Sequence, residues 1–252
     1  MIETLHFKDE KTDKFWFVET LVCEMMVNYG KTGTTGKYEI KEFDNKQDCE
    51  KEALKLINSK KKKGYEEFVE FDRNNRYYFD DEEYGLNPLT SHPTFRKYFS
   101  NEIYYDCGDE EAPFGSDEGH DAFSELEESV RKKKKINFFD FPRVIIEEFW
   151  EMDYLTPDLE KTDEELKVQA KLNFNGLPGE QIILQSDQVI LAVTFGQAKI
   201  TGKIDKNLLE LALKSLNRMD KLNRLIWNWD KEEATYYIET MRKDLIKYKE
   251  NF

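Results

Sequence analysis

The chain has 252 residues, a formal net charge of −14 and 14% aromatic side chains. That length suits one large domain or two ordinary ones with cores of their own, so neither a disulfide nor a metal staple is required. The aromatic content excludes a disordered chain, and the acidic balance disfavours non-specific attraction to nucleic acid or anionic lipid.

The charge is uneven. Residues 1–70 hold 13 lysines against 15 acidic side chains, a balance of −2, which leaves −12 to the rest. Any nucleic-acid contact is therefore expected in the near-neutral N-terminal part. Three cysteines, Cys23, Cys49 and Cys107, are odd in number and give no disulfide framework. The start Met1-Ile2-Glu3-Thr4 lacks the basic and apolar regions of a secretory signal, and no apolar run spans a bilayer. The expected address is the cytoplasm.

In chain order, residues 14–20 (Lys-Phe-Trp-Phe-Val-Glu-Thr) form an aromatic and β-branched strand, and residues 21–29 continue as a second. Gly30, Gly33 and Gly36 punctuate the next segment as turn chemistry. Lys37 to Phe43 alternates polar and apolar, the period of a half-buried strand. Asp44 with Gln47 fits a capping box, and Cys49, Ala53, Leu54, Leu56 and Ile57 line a helix face. Lys60, Lys61, Lys62 and Lys63 suit that helix's last turn, and Gly64 its stop. Tyr65 to Phe71 returns as a strand or an extended arm. Residues 72–92, rich in Asp, Asn, Gly and Pro, are expected to be a linker.

The remainder looks helical. Pro93 to Phe99 fits a short helix, and Ser116 or Asp117 caps one running to about Lys133. Asp140 precedes Pro142, and Val144, Ile145, Phe149, Trp150 and Met152 make a helical stripe. Thr162 with Glu165 is a capping box. The apolar run within 187–201 fits a buried strand or a buried helix, which periodicity does not separate. Its length and the preceding Ser186 and Asp187 favour helix. Leu208 to Met219 is a helix. Asp230 with Glu233 caps a last one, bearing Ala234, Tyr237, Ile238, Met241, Leu245 and Ile246.

Several features carry the first resemblance: Phe15-Trp16-Phe17; the run from Asn28-Tyr29-Gly30-Lys31 to Gly36-Lys37; Lys41-Glu42-Phe43; and the closure Lys60 to Tyr65. Together, over about residues 10–68, they resemble the WGR domain, named for a Trp-Gly-Arg triplet. Tyr29 stands where the family has Trp, and Lys31 where it has Arg. The resemblance implies an α+β module: a WGR-like antiparallel sheet with one helix, expected over residues 1–71. A mostly α-helical domain is expected over 93–252. In eukaryotic poly(ADP-ribose) polymerases the WGR domain helps hold a DNA break. The resemblance thus implies contact with DNA or RNA through Tyr29, Gly30, Lys31, Lys37, Lys60, Lys61, Lys62 and Lys63. Tyr29 suits stacking on a sugar or base, and Lys31 keeps the charge without the planar fork. Glu111 to Ala122 resembles a motif of bacterial proteins that join a WGR domain to a helical domain, some labelled MolR-like. A similar Pro-Phe-Gly-x-Asp pattern occurs in small acidic proteins suspected of being immunity factors.

Each candidate site has a plain structural alternative. Tyr29 can simply pack while Lys31 is solvated. The lysine runs 60–63 and 132–135 both end helices, where dipole and solvent explain them. The segment 106–121 gathers Asp106, Asp109, Glu110, Glu111, Asp117, Glu118, His120 and Asp121. Asp117, His120 and Asp121 could hold a divalent cation or face a partner, or Asp117 could merely serve the helix start. No serine or cysteine has a nucleophile-elbow context, and Gly33-x-x-Gly36 lacks the Gly-Lys-Ser/Thr of a phosphate loop. Trp227 and Trp229 are expected to pack. The expectation is a non-catalytic binding protein without a cofactor, contacting nucleic acid through its N-terminal module. The alternative is an acidic factor, such as an immunity protein or antitoxin, that covers a basic protein.

Overall fold

The computed structural model describes residues 1–227 and 231–251. It divides into two compact units, Met1–Arg96 and Lys97–Phe252.

The first unit contains strands β1 (Ile2–Lys8), β2 (Asp13–Leu21), β3 (Glu24–Lys31), β4 (Lys37–Glu42) and β5 (Glu66–Glu67). Helix α1 (Lys46–Lys62) lies between the last two in sequence. The strands form one antiparallel sheet in the order β4-β3-β2-β1-β5. Strand β1 is absent from the sequence-based reading, because its mixed residues lack a clean alternation. The expected strands 14–20 and 21–29 are β2 and β3. A tight turn at Val22 and Cys23 separates them, and Val22 takes a positive φ of 52°. A β-branched residue is rare there, so nothing in the sequence marks the turn.

Alternation sends Leu5, Trp16, Val18 and Met25 to one face of the sheet, where they pack with Cys49, Ala53 and Ile57 of α1. Asn45 caps α1 by accepting from the Asp48 backbone N–H at 2.9 Å. This replaces the expected Asp44–Gln47 capping box, because Asp44 stands one residue too early to reach the first free amides. The helix closes at Gly64, whose φ of +84° suits the residue after a helix end.

The opposite face is buried too. Residues Phe15 to Glu19 of β2 are all buried, which a sheet covered on one side cannot achieve. Residues 68–92 supply the cover. Phe71 packs on Phe15 and Phe17, with ring centroids at 5.6 and 5.2 Å. The Arg73 and Arg76 guanidinium groups lie over Phe17 and Phe15 at 5.3 and 4.3 Å. Glu19, with its side chain 9% exposed, takes Arg73 at 2.8 Å and Arg96 at 3.0 Å. Tyr38 donates to the Tyr77 carbonyl at 2.9 Å. Asp81 accepts the Ile40 backbone N–H at 2.9 Å, which blunts the outer edge of β4. The segment expected as a linker is therefore a strap inside the first unit. Burying each phenylalanine of this face contributes about 1.5–3 kcal/mol, enough to hold a polar strap in place.

The second unit is mostly helical. The division from the first falls inside α2 (Pro93–Tyr98). Helix α3 (Asp117–Arg131) is capped by Ser116, which accepts from Gly119 N–H at 3.0 Å. Helix α4 (Phe141–Val144) widens into a π turn over Ile145–Phe149 and stops, so Met152 lies beyond the helix. Helix α5 (Asp163–Ala170) starts with the expected capping box of Thr162 and Glu165. A hairpin of β6 (Asn173–Phe174) and β7 (Leu177–Pro178) turns through Asn175 and Gly176, both at positive φ.

Helix α6 (Gly179–Thr201) resolves the open segment as helix, and every residue from Val189 to Ile200 is buried. A helix buried on all sides must be central, and α3 and α7 (Lys206–Leu222) pack on it. Gly196 permits the approach of α3: a Cβ there would lie 2.8 Å from the Phe123 ring. A π turn, Asn223–Trp227, leads towards α8 (Lys231–Lys249). Trp227 packs against the cluster of Leu166, Ala170, Ile183 and Leu222. Trp229, Asn228 and the Asp230–Glu233 cap with Ala234 lie outside the residues described at side-chain level. Among the described residues no helix is long and apolar enough to cross a membrane.

Candidate functional site

The pairing of β2 with β3 sets Trp16 opposite Tyr29 and Lys14 opposite Lys31. The pairing of β3 with β4 sets Tyr29 opposite Lys37. Trp16 and Tyr29 both pack against the α1 side of the sheet, so by alternation Lys14, Lys31 and Lys37 project from that face as well. Helix α1 ends at the same place. The Lys60 ammonium lies 5.6 Å from the Trp16 ring centre and 5.2 Å from that of Tyr65. Phe7 meets Tyr65 at 5.3 Å and closes the corner.

One end of the sheet thus carries Lys14, Lys31, Lys37, Lys60 and Lys63 around Trp16, Tyr29 and Tyr65. Lys14, Lys31 and Lys63 are exposed and form no ion pair with a described residue. The Lys60 ammonium is held below the usual lysine range by burial, and the like charges of Lys63 and Lys14 push the same way. Glu39 is the counterweight. It accepts from the Tyr29 hydroxyl and from Lys37 Nζ, each at 2.8 Å. Lys37, then Tyr29, hold its carboxyl below the usual range, and Glu39 in turn raises both of theirs. Lys61 is tied to Glu3 at 2.7 Å, and Lys62 is solvated.

Of the residues singled out from sequence, Tyr29, Lys31, Lys37, Lys60 and Lys63 come together. Gly30 faces the other way. It lies opposite Phe15, and a Cβ on it would sit 2.9 Å from the Gly36 Cα, so it serves the packing of the turn. Lys14 is not among the sequence candidates; only the strand register places it beside Lys31, on the same face as the buried Trp16.

The other candidates are dispersed. Lys132 pairs with Glu128, and Lys134 lies over Phe149 at 5.8 Å. In the 106–121 segment Asp106 and Asp109 close local turns, and Tyr237 donates to Asp109 at 2.7 Å. Asp117, His120 and Asp121 are exposed on the first turns of α3. Among the described residues no group of three or more His, Cys, Asp or Glu is arranged to hold a metal ion. His92 is buried, with Nδ1 accepting from Thr94 N–H at 3.1 Å. His6 contacts Asp13 at 2.7 Å and stacks on Phe68. The cysteines are free thiols.

The WGR domain family matches residues 1–72. The uncharacterized protein YfeS of Escherichia coli K12 is 42% identical over 242 residues, which is 96% of each chain. Protein YehF of the same organism is 44% identical over 61 residues, 24% of this chain and 22% of that protein. A crystal structure of a Bacteroides fragilis protein aligns over 52% of this chain and 39% of that one, at 24% identity. Its TM-score of 0.27 is too low to define a shared fold. The 42% identity runs through both units, so the chain belongs to the same family as YfeS and carries a WGR domain over residues 1–72.

Proposed function

We propose that the lysine-rich end of the first unit binds the phosphate backbone of a nucleic acid, with Tyr29 offering a face for a sugar or base. The observation that carries this reading is the pair Lys14 and Lys31. They stand directly opposite on adjacent strands, with Lys60 and Lys63 alongside. Like charges opposed across a sheet destabilise it, by a fraction of a kcal/mol up to about 1 kcal/mol. In a chain of net charge −14 with acidic side chains to spare, such a cluster is costly unless an anion covers it. Lysine heads flanked by aromatic rings are the chemistry that tracks a nucleic-acid strand without reading its sequence.

Fluorescence anisotropy with blunt, nicked and single-stranded DNA and with RNA, at several salt concentrations, tests the proposal. Micromolar binding that weakens with salt is expected. Lys31→Glu should abolish most of it and flatten the salt dependence, by roughly 0.7–0.9 in logarithmic slope for each phosphate no longer neutralised. Tyr29→Ala should weaken it by the worth of one stacked base, about 1–3 kcal/mol. No binding at the lowest salt would sink this reading and favour a protein partner for the acidic remainder of the chain.

A further inference from the structure

The turn that joins Lys31 to Lys37 is held from the strap side of the sheet. Asn28 is fully buried there; its Nδ2 donates to the carbonyls of Thr35 at 3.0 Å and Lys37 at 3.1 Å. Its Oδ1 accepts from Arg76 Nη2 at 3.2 Å. The same Nη2 donates to the carbonyls of Thr34 and Thr35, both at 3.1 Å. The guanidinium lies over Phe15 at 4.3 Å and Phe71 at 4.4 Å, and because those ring centres are themselves 5.6 Å apart it covers both rings from one side, which limits its freedom to swing away. Gly36 completes the turn with φ +73°. Three carbonyls along the turn, those of Thr34, Thr35 and Lys37, therefore rest on two side chains. One of those side chains, Arg76, lies beyond the residues 1–72 matched to the WGR domain.

We infer that Arg76 is a positioning residue for ligand binding: from the strap it fixes the turn whose two ends present Lys31 and Lys37. The strap is then part of the binding module and not a connector. This rests on the lysine-rich end being the ligand surface. Lysine cannot replace Arg76, because an ammonium is a point donor on a flexible stem and lacks the broad flat group that covers both rings.

The test uses the full chain with Arg76→Gln, Arg76→Lys and, as a control, Arg73→Gln. Arg73 lies on the same strap but bonds Glu19, away from the turn. Two quantities are read: amide hydrogen exchange at residues 34–37, and anisotropy with a labelled single-stranded DNA oligonucleotide. Arg76→Gln should speed exchange at the turn and weaken binding about tenfold, the loss of roughly one charged hydrogen bond. Arg76→Lys should not restore either quantity, and Arg73→Gln should change neither. In a Lys31→Gln background, Arg76→Gln should cost less than about twofold more, because both changes disable the same interaction. Equal losses in Arg73→Gln, full additivity with Lys31→Gln, or unchanged affinity with a loosened turn would each overturn the inference. If the wild-type chain binds no oligonucleotide, the proposed function fails and the ligand role of Arg76 fails with it. The exchange data then show separately whether Arg76 holds the turn.

Discussion

Arg218→Met should unfold the second unit more readily than almost any other single change in it. Asp187 on α6 is completely buried, and the Arg218 side chain on α7 is 6% exposed. Arg218 meets the carboxylate with Nε and Nη2, both at 2.9 Å, and Nη2 also donates to the Leu155 carbonyl at 2.7 Å. Removing the guanidinium leaves a buried carboxylate uncompensated, which costs about 3–5 kcal/mol. At about 2–4 °C per kcal/mol for a unit of this size, the midpoint should fall by roughly 6–20 °C. Asp187→Leu should be nearly as costly, because it strands the guanidinium. The double variant should lose only about 1–3 kcal/mol, since apolar side chains replace the pair and only the Leu155 carbonyl is orphaned.

The pH dependence adds a second signature. Burial pushes the Asp187 carboxyl above its ordinary range, and Arg218 opposes that. Without Arg218 the folded value rises further above the unfolded one. Stability is then fullest below the unfolded value, about 3.9, and is lost as pH rises through the folded value. The deficit of Arg218→Met should therefore shrink in acid. Urea unfolding followed by far-ultraviolet circular dichroism measures all three variants. A double variant worse than both singles, or a single loss below about 1 kcal/mol, would refute the reasoning.

Two further outcomes follow from local geometry. Gly36→Ala would place a Cβ 2.6 Å from the Phe15 ring and 2.7 Å from the Tyr29 carbonyl, at a φ of +73°. It should destabilise the first unit by about 1–3 kcal/mol, read as a lower thermal midpoint. Glu111 is pushed up to about 7 by burial and by the neighbouring charges of Asp109 and Glu110. Its folded value lies above its unfolded one, so the stability tied to its protonated form is present in acid and disappears as pH rises through about 7. Glu111→Gln should remove that decline and unfold at higher urea than wild type at pH 8; identical profiles would contradict this.

Much of the architecture was legible because local chemistry sets it. Gly64 stops α1, Ser116 starts α3, and Thr162 with Glu165 starts α5, each through hydrogen bonds made within a few residues. Lys31 and Lys37 became candidate binding residues through the resemblance to the WGR domain. The helical reading of 187–201 agrees with α6 through the length of its apolar run, but Ser186 and Asp187 do not start the helix: it begins at Gly179 and both residues are buried within it.

Other features depended on partners far away in sequence. Strand β1 has no strong alternation of its own and becomes a strand only when β2 offers its edge. Residues 72–92 are rich in turn formers, so they resemble a linker. They are ordered because β2 has aromatic side chains on both faces, and the second face needs a cover. Lys14 gained significance only through its register with Lys31, and Arg76 only through the carbonyls of Thr34 and Thr35. Sequence by itself determined several of the caps, stops and alternating strands, because those bonds close within a few residues; the turn at Val22 and the Asn45 cap were not among them. The tertiary structure decided which lysines share a face, which arginine holds their turn and which aspartate is buried with Arg218. Lys14 and Lys31 are 17 positions apart, Asp187 and Arg218 31, and Thr34 and Arg76 42, and only the packed sheet and helices bring them together.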